Sequence, residues 1–341
     1  MSAKSYLVTG GTGFLGSALV RRLVREGNRV RVLDNNSRGS AQRLADLAEQ
    51  FELVEGDIRD AATVERATHD IDIVCHLAFV NGTEFFYSCP ELVLDIAVKG
   101  MVNVLDACIK NHVPELVLAS SSEVYQEPPS IPTDESVPLS IPDPLNPRYS
   151  YAAGKIISEI MAINYGRKHF DRVVIFRPHN VYGPDMGWEH VIPQLILRMN
   201  ELCASETSDP IPFPIQGTGH QSRAFVFIED FTEGLMRVIE KGEHLVTYHI
   251  GSSEELTIAQ LAHMVGACFG RRIAVVPGEA AQGGPLRRCP DITKLGALGY
   301  EPRYKLAEGL PVVASWYREN AHKDPHPSKY TQSTFRVAAA R

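Results

Sequence analysis

The sequence lacks any run of about 18 apolar residues, so no segment of it is expected to span a bilayer. It also lacks a basic excess. Lys and Arg number 34 against 41 Asp and Glu, and the net charge of −7 argues against a nucleic-acid or anionic-membrane partner. Its six cysteines (Cys75, Cys89, Cys108, Cys203, Cys268 and Cys289) show no paired short spacing, and its twelve histidines are scattered. Both facts argue against a disulfide framework or a metal site, and reduced thiols in a cytoplasmic protein are the simplest reading. The first apolar run begins within a few residues of Met1, leaving no room for a signal peptide. There are no internal repeats. At 341 residues, with 44% hydrophobic residues, the chain has ample core for one large domain or two joined ones.

What is present is organised around Ser5 to Glu26, SYLVTGGTGFLGSALVRRLVRE. Tyr6 to Thr9 is an apolar run of the kind that forms a buried parallel strand. Gly10, Gly13 and Gly16 follow at three-residue spacing, and Leu15, Leu19 and Leu23 recur at i+4 on an amphipathic helix. Strand, glycine turn and helix in that order are the context of a dinucleotide fingerprint. Gly10 permits the tight turn, Gly13 the approach of a pyrophosphate, and Gly16 the close packing of helix on strand. The helix N-terminus favours the pyrophosphate's charge. Asp34 ends a second strand, Arg29 to Leu33, at the position of the acid that holds the ribose 2′-hydroxyl, which favours NAD over NADP. The plain alternative for Asp34 is a strand-end turn residue. Arg38, four residues on, is the one feature that would accommodate NADP.

Strands are expected at Phe51–Val54, Ile71–Leu77, Glu115–Ala119 and Arg172–Arg177, and helices at Ala41–Gln50, Glu91–Asn111 and Tyr149–Phe170. This alternation predicts an α/β fold, a Rossmann-type doubly wound parallel sheet, with a smaller α+β substrate-binding lobe. The predicted division is 1–177 for the dinucleotide-binding domain, with returning segments near 222–252. The lobe takes 178–221 and 253–319, and 320–341 forms a disordered tail. In the second half, helices are expected at Glu189–Met199, Ile258–Phe269 and Glu308–Arg318. Strands are expected at Phe225–Ile228, Thr247–Ile250 and Ile273–Val276, and loops at Glu127–Pro147 and Cys203–Pro214. Asp57, at a strand end, is read as an adenine partner, a helix N-cap or both; His76 and Ala78 are read as lying beside the cofactor, although a strand-end histidine is more often a plain packing residue.

Tyr151 and Lys155, four apart on a predicted helix, share one face. A tyrosine hydroxyl with its reference pKa of about 10 is a poor base, and a nearby ammonium is expected to hold it partly ionised. Ser121, at the end of the fifth strand, would hydrogen-bond the same substrate hydroxyl.

In combination these motifs resemble an extended short-chain dehydrogenase/reductase of the nucleotide-sugar epimerase/dehydratase kind. The residues that carry the likeness include TGGTGFLG (Thr9–Gly16), Asp34, Gly56–Asp57, HLA (His76–Ala78), SSSEVY (Ser120–Tyr125), YAAGK (Tyr151–Lys155), RPHNVYGP (Arg177–Pro184), SRAFVFIED (Ser222–Asp230) and RRCPDITKLGALGYEP (Arg287–Pro302). The resemblance implies a tightly held NAD that oxidises a sugar at C4 and reduces it again. It implies cofactor contacts from Gly10, Gly13, Phe14, Leu15, Gly16, Asp34, Asp57, Ile58, Leu77, Ala78, Tyr151 and Lys155. Catalytic roles fall to Tyr151, Lys155, Ser121 and Glu123, and substrate contacts to Ser122, Asn180, Arg223 and Arg288, with Arg287 as the alternative to Arg288. The partner implied is a nucleoside-diphosphate sugar, and the relatives' habit of pairing helices Glu91–Asn111 and Tyr149–Phe170 implies a homodimer.

Three residues depart from the family's pattern: Gln126 for glycine, Ala97 for asparagine and His179 for an aromatic. Three reactions share the 4-keto intermediate. The first reading is a C4 epimerase. The second is a 4,6-dehydratase with Glu123 as the C5 base, although Ser122 stands where the thymidine-sugar enzymes carry aspartate. The third is a UDP-glucuronate decarboxylase, against which Asp185 stands where those enzymes carry arginine. A non-catalytic NAD-binding regulator is a remote fourth reading, since Tyr151, Lys155 and Ser121 are all retained.

Overall fold

Short apolar runs become strands, buried on both faces in the middle of a parallel sheet and more exposed at its edge, as in Glu52–Glu55. In the computed structural model, which describes residues 3–279 and 286–325, six such strands follow one another. They are β1 (Ser5–Thr9), β2 (Arg29–Asp34), β3 (Glu52–Glu55), β4 (Ile73–His76), β5 (Glu115–Ala119) and β6 (Arg172–Pro178). After β7 (Val181–Tyr182), β8 (Ile211–Ile215), β9 (Ser222–Ala224) and β10 (Val226–Phe227), the chain returns to the sheet as β11 (Val246–Ile250), beside β6. The strand order is β11-β6-β5-β4-β1-β2-β3, parallel throughout. This is the doubly wound α/β sheet expected from the sequence. The direction of winding reverses between β1 and β4, and the crevice at that switch point lies at the strands' C-terminal ends.

Side-chain alternation along each strand feeds two cores. Tyr6 and Val8 of β1 join Leu19 and Leu23 of α1 (Phe14–Arg25) on one face of the sheet. Leu7 points the other way. It joins Val64 of α2 (Ala61–Ala67), Phe86 of α3 (Thr83–Ser88), Val104 of α4 (Pro90–Lys110) and Ala162 of α5 (Ser150–His169). A third core gathers α6 (Val191–Ser205), α8 (Ile258–Cys268) and α10 (Leu306–Asn320) around Ile196, Phe213, Leu261 and Leu310, while α7 (Ile228–Lys241) packs on the sheet through Phe231 and Leu235. Strands β12 (Glu255–Thr257), β13 (Ile273–Pro277) and β14 (Arg287–Arg288) and the short α9 (Thr293–Gly296) complete the order.

Several expectations are corrected. Ala41–Gln50 forms a 3-10 turn over Ala41–Leu47 rather than an α-helix, started by Ser40, whose hydroxyl accepts from the Gln42 N–H (3.3 Å). The loop expected at Cys203–Pro214 contains the end of α6 and β8. Pro212 and Pro214 are tolerated there because β8 pairs only with β13, so its other edge needs no donors. The strand expected at Phe225–Ile228 stops at Phe227, and Glu229 and Asp230 in the following turn mark a helix start that apolar periodicity alone did not reveal. Asn320 closes α10 and Ala321–Lys323 form a further 3-10 turn, so the start of the expected disordered tail is ordered; residues 326–341 lie outside the described residues.

The proline-rich stretch after Tyr125 positions the site. Thr133 N–H donates to Cys289 O (2.9 Å), and Asp291 N–H donates to Thr133 O (2.7 Å). Glu135 accepts from the His249 N–H (2.9 Å). This loop therefore pins the segment that carries Arg288 against the end of β11.

Candidate active site

The switch-point crevice deepens into a cavity of about 400 Å³. One end is built by glycines. Gly10 has φ +72°, and a Cβ on it would lie 2.7 Å from Ala78 Cα; a Cβ on Gly16 would lie 2.1 Å from Gly10 O. Glycine is thus required for β1, α1 and the loop after β4 to meet. Gly13 caps α1 without a side-chain hydrogen bond, and its first turn holds no acid. The leading N–H groups and the positive end of the helix are left to an anion in the cavity that Gly13, Phe14, Leu15 and Gly16 line. Asp34 accepts from Thr12 N–H (3.0 Å) and Asn36 N–H (2.9 Å), which fixes its carboxylate and leaves lone pairs for a ribose hydroxyl. An anion cradle and a ribose acid on adjacent strand ends fit a dinucleotide.

Ile58, Leu77 and Ala78 also line this end, as does Asp57. Asp57 is not the N-cap of α2; that role falls to Asp60, which accepts from Ala62 N–H (3.1 Å). Its carboxylate is instead held by Arg59 (2.7 and 3.0 Å) and Asn35 (3.1 Å), and the Arg59 guanidinium draws its pKa down to about 2. Of the two readings of His76, packing is the one its surroundings match: it is buried in the core. Its Nδ1 meets Thr9 Oγ1 at 2.7 Å, and burial pushes its pKa down to about 3.

At the other end, Tyr151 sits in the first turn of α5 with its ring between Phe86 (stacked, 5.0 Å) and Phe79 (edge-on, 5.1 Å). Burial pushes its hydroxyl well above the usual phenol range, while a hydrogen bond with Ser121 and the charge of Arg288 oppose that rise. Lys155, expected to lower that pKa together with the nicotinamide ring, is engaged elsewhere. Lys155 Nζ donates to Ala119 O (2.7 Å) and stands 3.9 Å over the Phe79 ring, but 5.8 Å from the Tyr151 ring. Burial depresses its own pKa from 10.5 to about 7, which the nearby Glu159 opposes. The three serines have separate partners. Ser120 Oγ donates to Glu159, Ser121 Oγ accepts from Glu123 N–H (3.2 Å) and neighbours Tyr151, and Ser122 lines the cavity.

Glu123 faces a cationic wall. Its Oε1 accepts from Arg288 Nη1 (2.6 Å). Burial would raise its pKa, but Arg288, Arg148 and Arg223 together hold it below the usual range. Arg288 faces the cavity, whereas Arg287 turns outward to Glu255 (2.7 Å, twice). Arg223, paired with Arg288 across β9 and β14, does not line the cavity; burial and Arg288 push its pKa down to about 10. Asn180 lines the cavity and spends one amide N–H on Ala224 O (2.9 Å). Arg148 was missed in the sequence. It stands two residues ahead of α5, and a cation at a helix N-terminus opposes the dipole, which is a readable signal of another purpose. Arg148 Nε and Arg288 Nη2 are buried and find no acceptor among the described residues.

The three departures have structural settings. Gln126 takes φ +54°, a region that favours glycine, and its amide donates to Glu123 O (2.6 Å). Ala97 on α4 packs against Gly154 of α5, where a Cβ would come within 2.7 Å of its own. His179 is buried beside His249, with ring centres 4.6 Å apart.

The model of the NAD dependent epimerase/dehydratase family matches residues 6–251. The chain belongs to that family. It is an enzyme, and its cofactor is NAD. Among its relatives is UDP-glucuronic acid decarboxylase 6 of Arabidopsis thaliana, 33% identical over 316 residues, with 92% of this chain and 88% of the relative covered. Among solved structures, the dTDP-glucose 4,6-dehydratase DesIV of Streptomyces venezuelae, with NAD and TYD bound, superposes at TM-score 0.82 and 30% identity, covering 95% of this chain and 99% of its own. The UDP-glucose 4-epimerase of Thermotoga maritima, with UDP-glucose, gives TM-score 0.81 and 27% identity over 93% and 99% of the two chains. Among the described residues no helix is long and apolar enough to cross a membrane, and no group of three or more His, Cys, Asp or Glu could hold a metal ion.

Proposed function

We propose that this enzyme inverts C4 of a nucleoside-diphosphate sugar. The observation that carries the reading is that Tyr151 and Ser121 share one cavity with the glycine cradle and Asp34, whereas Glu123 is held by Arg288 at 2.6 Å. A carboxylate paired in this way, with its pKa held low, is a weak base for a C5 proton. Epimerisation does not need one, which ranks it ahead of dehydration.

NAD, when bound, supplies the hydride acceptor and donor at the sugar carbon. Gly10, Gly13 and Gly16 would hold its pyrophosphate against α1, and Asp34 its adenosine ribose. Tyr151 exchanges a proton with the C4 hydroxyl, and Ser121 orients that hydroxyl. The Glu123 N–H holds Ser121 Oγ in place, and Ser121 is itself hydrogen-bonded with Tyr151, so the two hydroxyls stand together where one substrate hydroxyl would meet both. Arg288 draws the Tyr151 pKa down from where burial sets it. The unsatisfied N–H groups of Arg148 and Arg288 suit anionic oxygens of the substrate, which guanidinium forks bind bidentately.

A second reading, decarboxylation of a nucleotide uronate, gains from one observation. The Asp185 carboxylate does not line the cavity; it is engaged by Arg43 at 2.7 and 3.1 Å. The acid that weighs against this reading in the sequence is therefore turned away from a substrate carboxylate.

Incubation with UDP-, GDP-, CDP- and dTDP-sugars, including UDP-glucose and UDP-glucuronate, with products identified by NMR, tests both readings. Inversion at C4 supports the first and carbon dioxide release the second. Retention of most turnover by Glu123→Gln is expected of an epimerase, and loss of water from a hexose in the wild type would overturn both.

A homodimer is part of the proposal. Leu94 (38% exposed) and Val98 (39%) on α4 lie one turn apart, as do Ile157 (36%) and Ile160 (48%) on α5. Two packed helices presenting apolar stripes to solvent suit a second copy of the chain.

A further inference from the structure

Arg38 has no part in the chemistry above, although it lines the same cavity as Asp34. Its neighbour Gly39 fixes its backbone there. A Cβ on Gly39 would lie 2.0 Å from Thr12 Oγ1, and the Thr12 N–H is bonded to Asp34 Oδ2 (3.0 Å). An arginine anchored beside the ribose acid has the length to meet a phosphate on the ribose 2′-oxygen. In this structure its guanidinium is drawn elsewhere. Arg38 Nη2 pairs with Glu189 at 3.5 Å, and the guanidinium carbon stands 4.5 Å over the Phe85 ring. Both members of the pair are largely buried, with side chains 28% and 21% exposed. Arg43, the next cation along the chain, is committed to Asp185.

We propose that Glu189 is a cofactor-specificity residue: by engaging Arg38 it withholds the cation that a 2′-phosphate needs, so that NAD is taken and NADP refused. A phosphate beside the Asp34 carboxylate meets uncompensated repulsion, which a free guanidinium would offset through two charge-assisted hydrogen bonds. Asp34 alone supplies the repulsion; Glu189 removes the remedy. It does so from 151 residues away in sequence, on the segment leading into α6.

Isothermal titration of NAD and of NADP into the nucleotide-free full chain tests this directly, with melting curves to confirm that each variant folds. Glu189→Gln is expected to raise affinity for NADP about tenfold while affinity for NAD changes far less. Glu189→Ala should do the same, which guards against a failure peculiar to one replacement. Arg38→Met added to Glu189→Gln should return NADP affinity to the wild-type level or below. Arg38→Met alone should leave the preference as it is. An unchanged preference in both Glu189 variants overturns the assignment. So does a gain that survives the loss of Arg38, or a tenfold loss of NAD affinity in Arg38→Met, which would make Arg38 a ligand of NAD instead.

Discussion

Replacing the Lys155 ammonium should make the folded enzyme more stable. Lys155 is fully enclosed, and burial lowers its pKa from 10.5 to about 7, against which Glu159 is the opposing influence. A depression of that size means that keeping Lys155 charged in the fold costs about 5 kcal/mol at acid pH. Lys155→Met removes that cost and keeps the aliphatic stem. It loses the hydrogen bond to Ala119 O (2.7 Å) and the contact with Phe79 (3.9 Å), together about 3 kcal/mol. The variant should therefore be more stable than wild type by about 2 kcal/mol at pH 6.

The pH dependence gives the sharper test. Between about 7 and 10.5 the unfolded lysine holds a proton that folded Lys155 has released, so wild-type stability rises with pH by up to about 1.4 kcal/mol per unit. The variant has no such dependence from this site. Its advantage should vanish near pH 8.5 and reverse above it. Urea midpoints of NAD-free protein at pH 6, 7.5 and 9, at one protein concentration, measure this. A variant less stable at pH 6, or a difference that does not move with pH, would show that the ammonium is compensated in a way these contacts do not reveal.

Two further outcomes follow from the same geometry. Gly16→Ala places a methyl 2.1 Å from Gly10 O, so β1 and α1 must part; the purified protein should lose its NAD, read from the nucleotide released on denaturation, and melt at lower temperature. Leu94→Glu combined with Ile160→Glu puts charge on both exposed stripes, and sedimentation velocity should report a monomer where the wild type sediments as a dimer. An unaltered dimer would move the interface elsewhere.

Much of the fold was legible in the sequence because its signals are local. Glycines at fixed spacing after an apolar run, and leucines at i+4, act within one strand–turn–helix unit, so β1, α1, β2 and β5 fall at or close to where periodicity puts them. The elements that were misread depend on partners distant in sequence. Proline-bearing β8 is a strand only because β13 lies beside it, and α7 begins where β10 ends against β7. The meeting of Gly10, Asp34 and Tyr151 in one cavity follows from the winding of the sheet, which alternation of strands and helices already implied.

The sequence by itself therefore determined which groups this enzyme carries and in what order: a glycine cradle, a ribose acid, a serine run and a Tyr-x-x-x-Lys turn. Tertiary structure alone decided their electrical state. It turns Arg288 inward and Arg287 outward, ties Glu123 to the former, parks Lys155 on Ala119 and Phe79, and sends Arg38 to Glu189. The reason is physical. Covalent spacing sets what stands one helical turn away, but desolvation and Coulomb energy depend on distances through space, and those exist only once the chain has closed on itself.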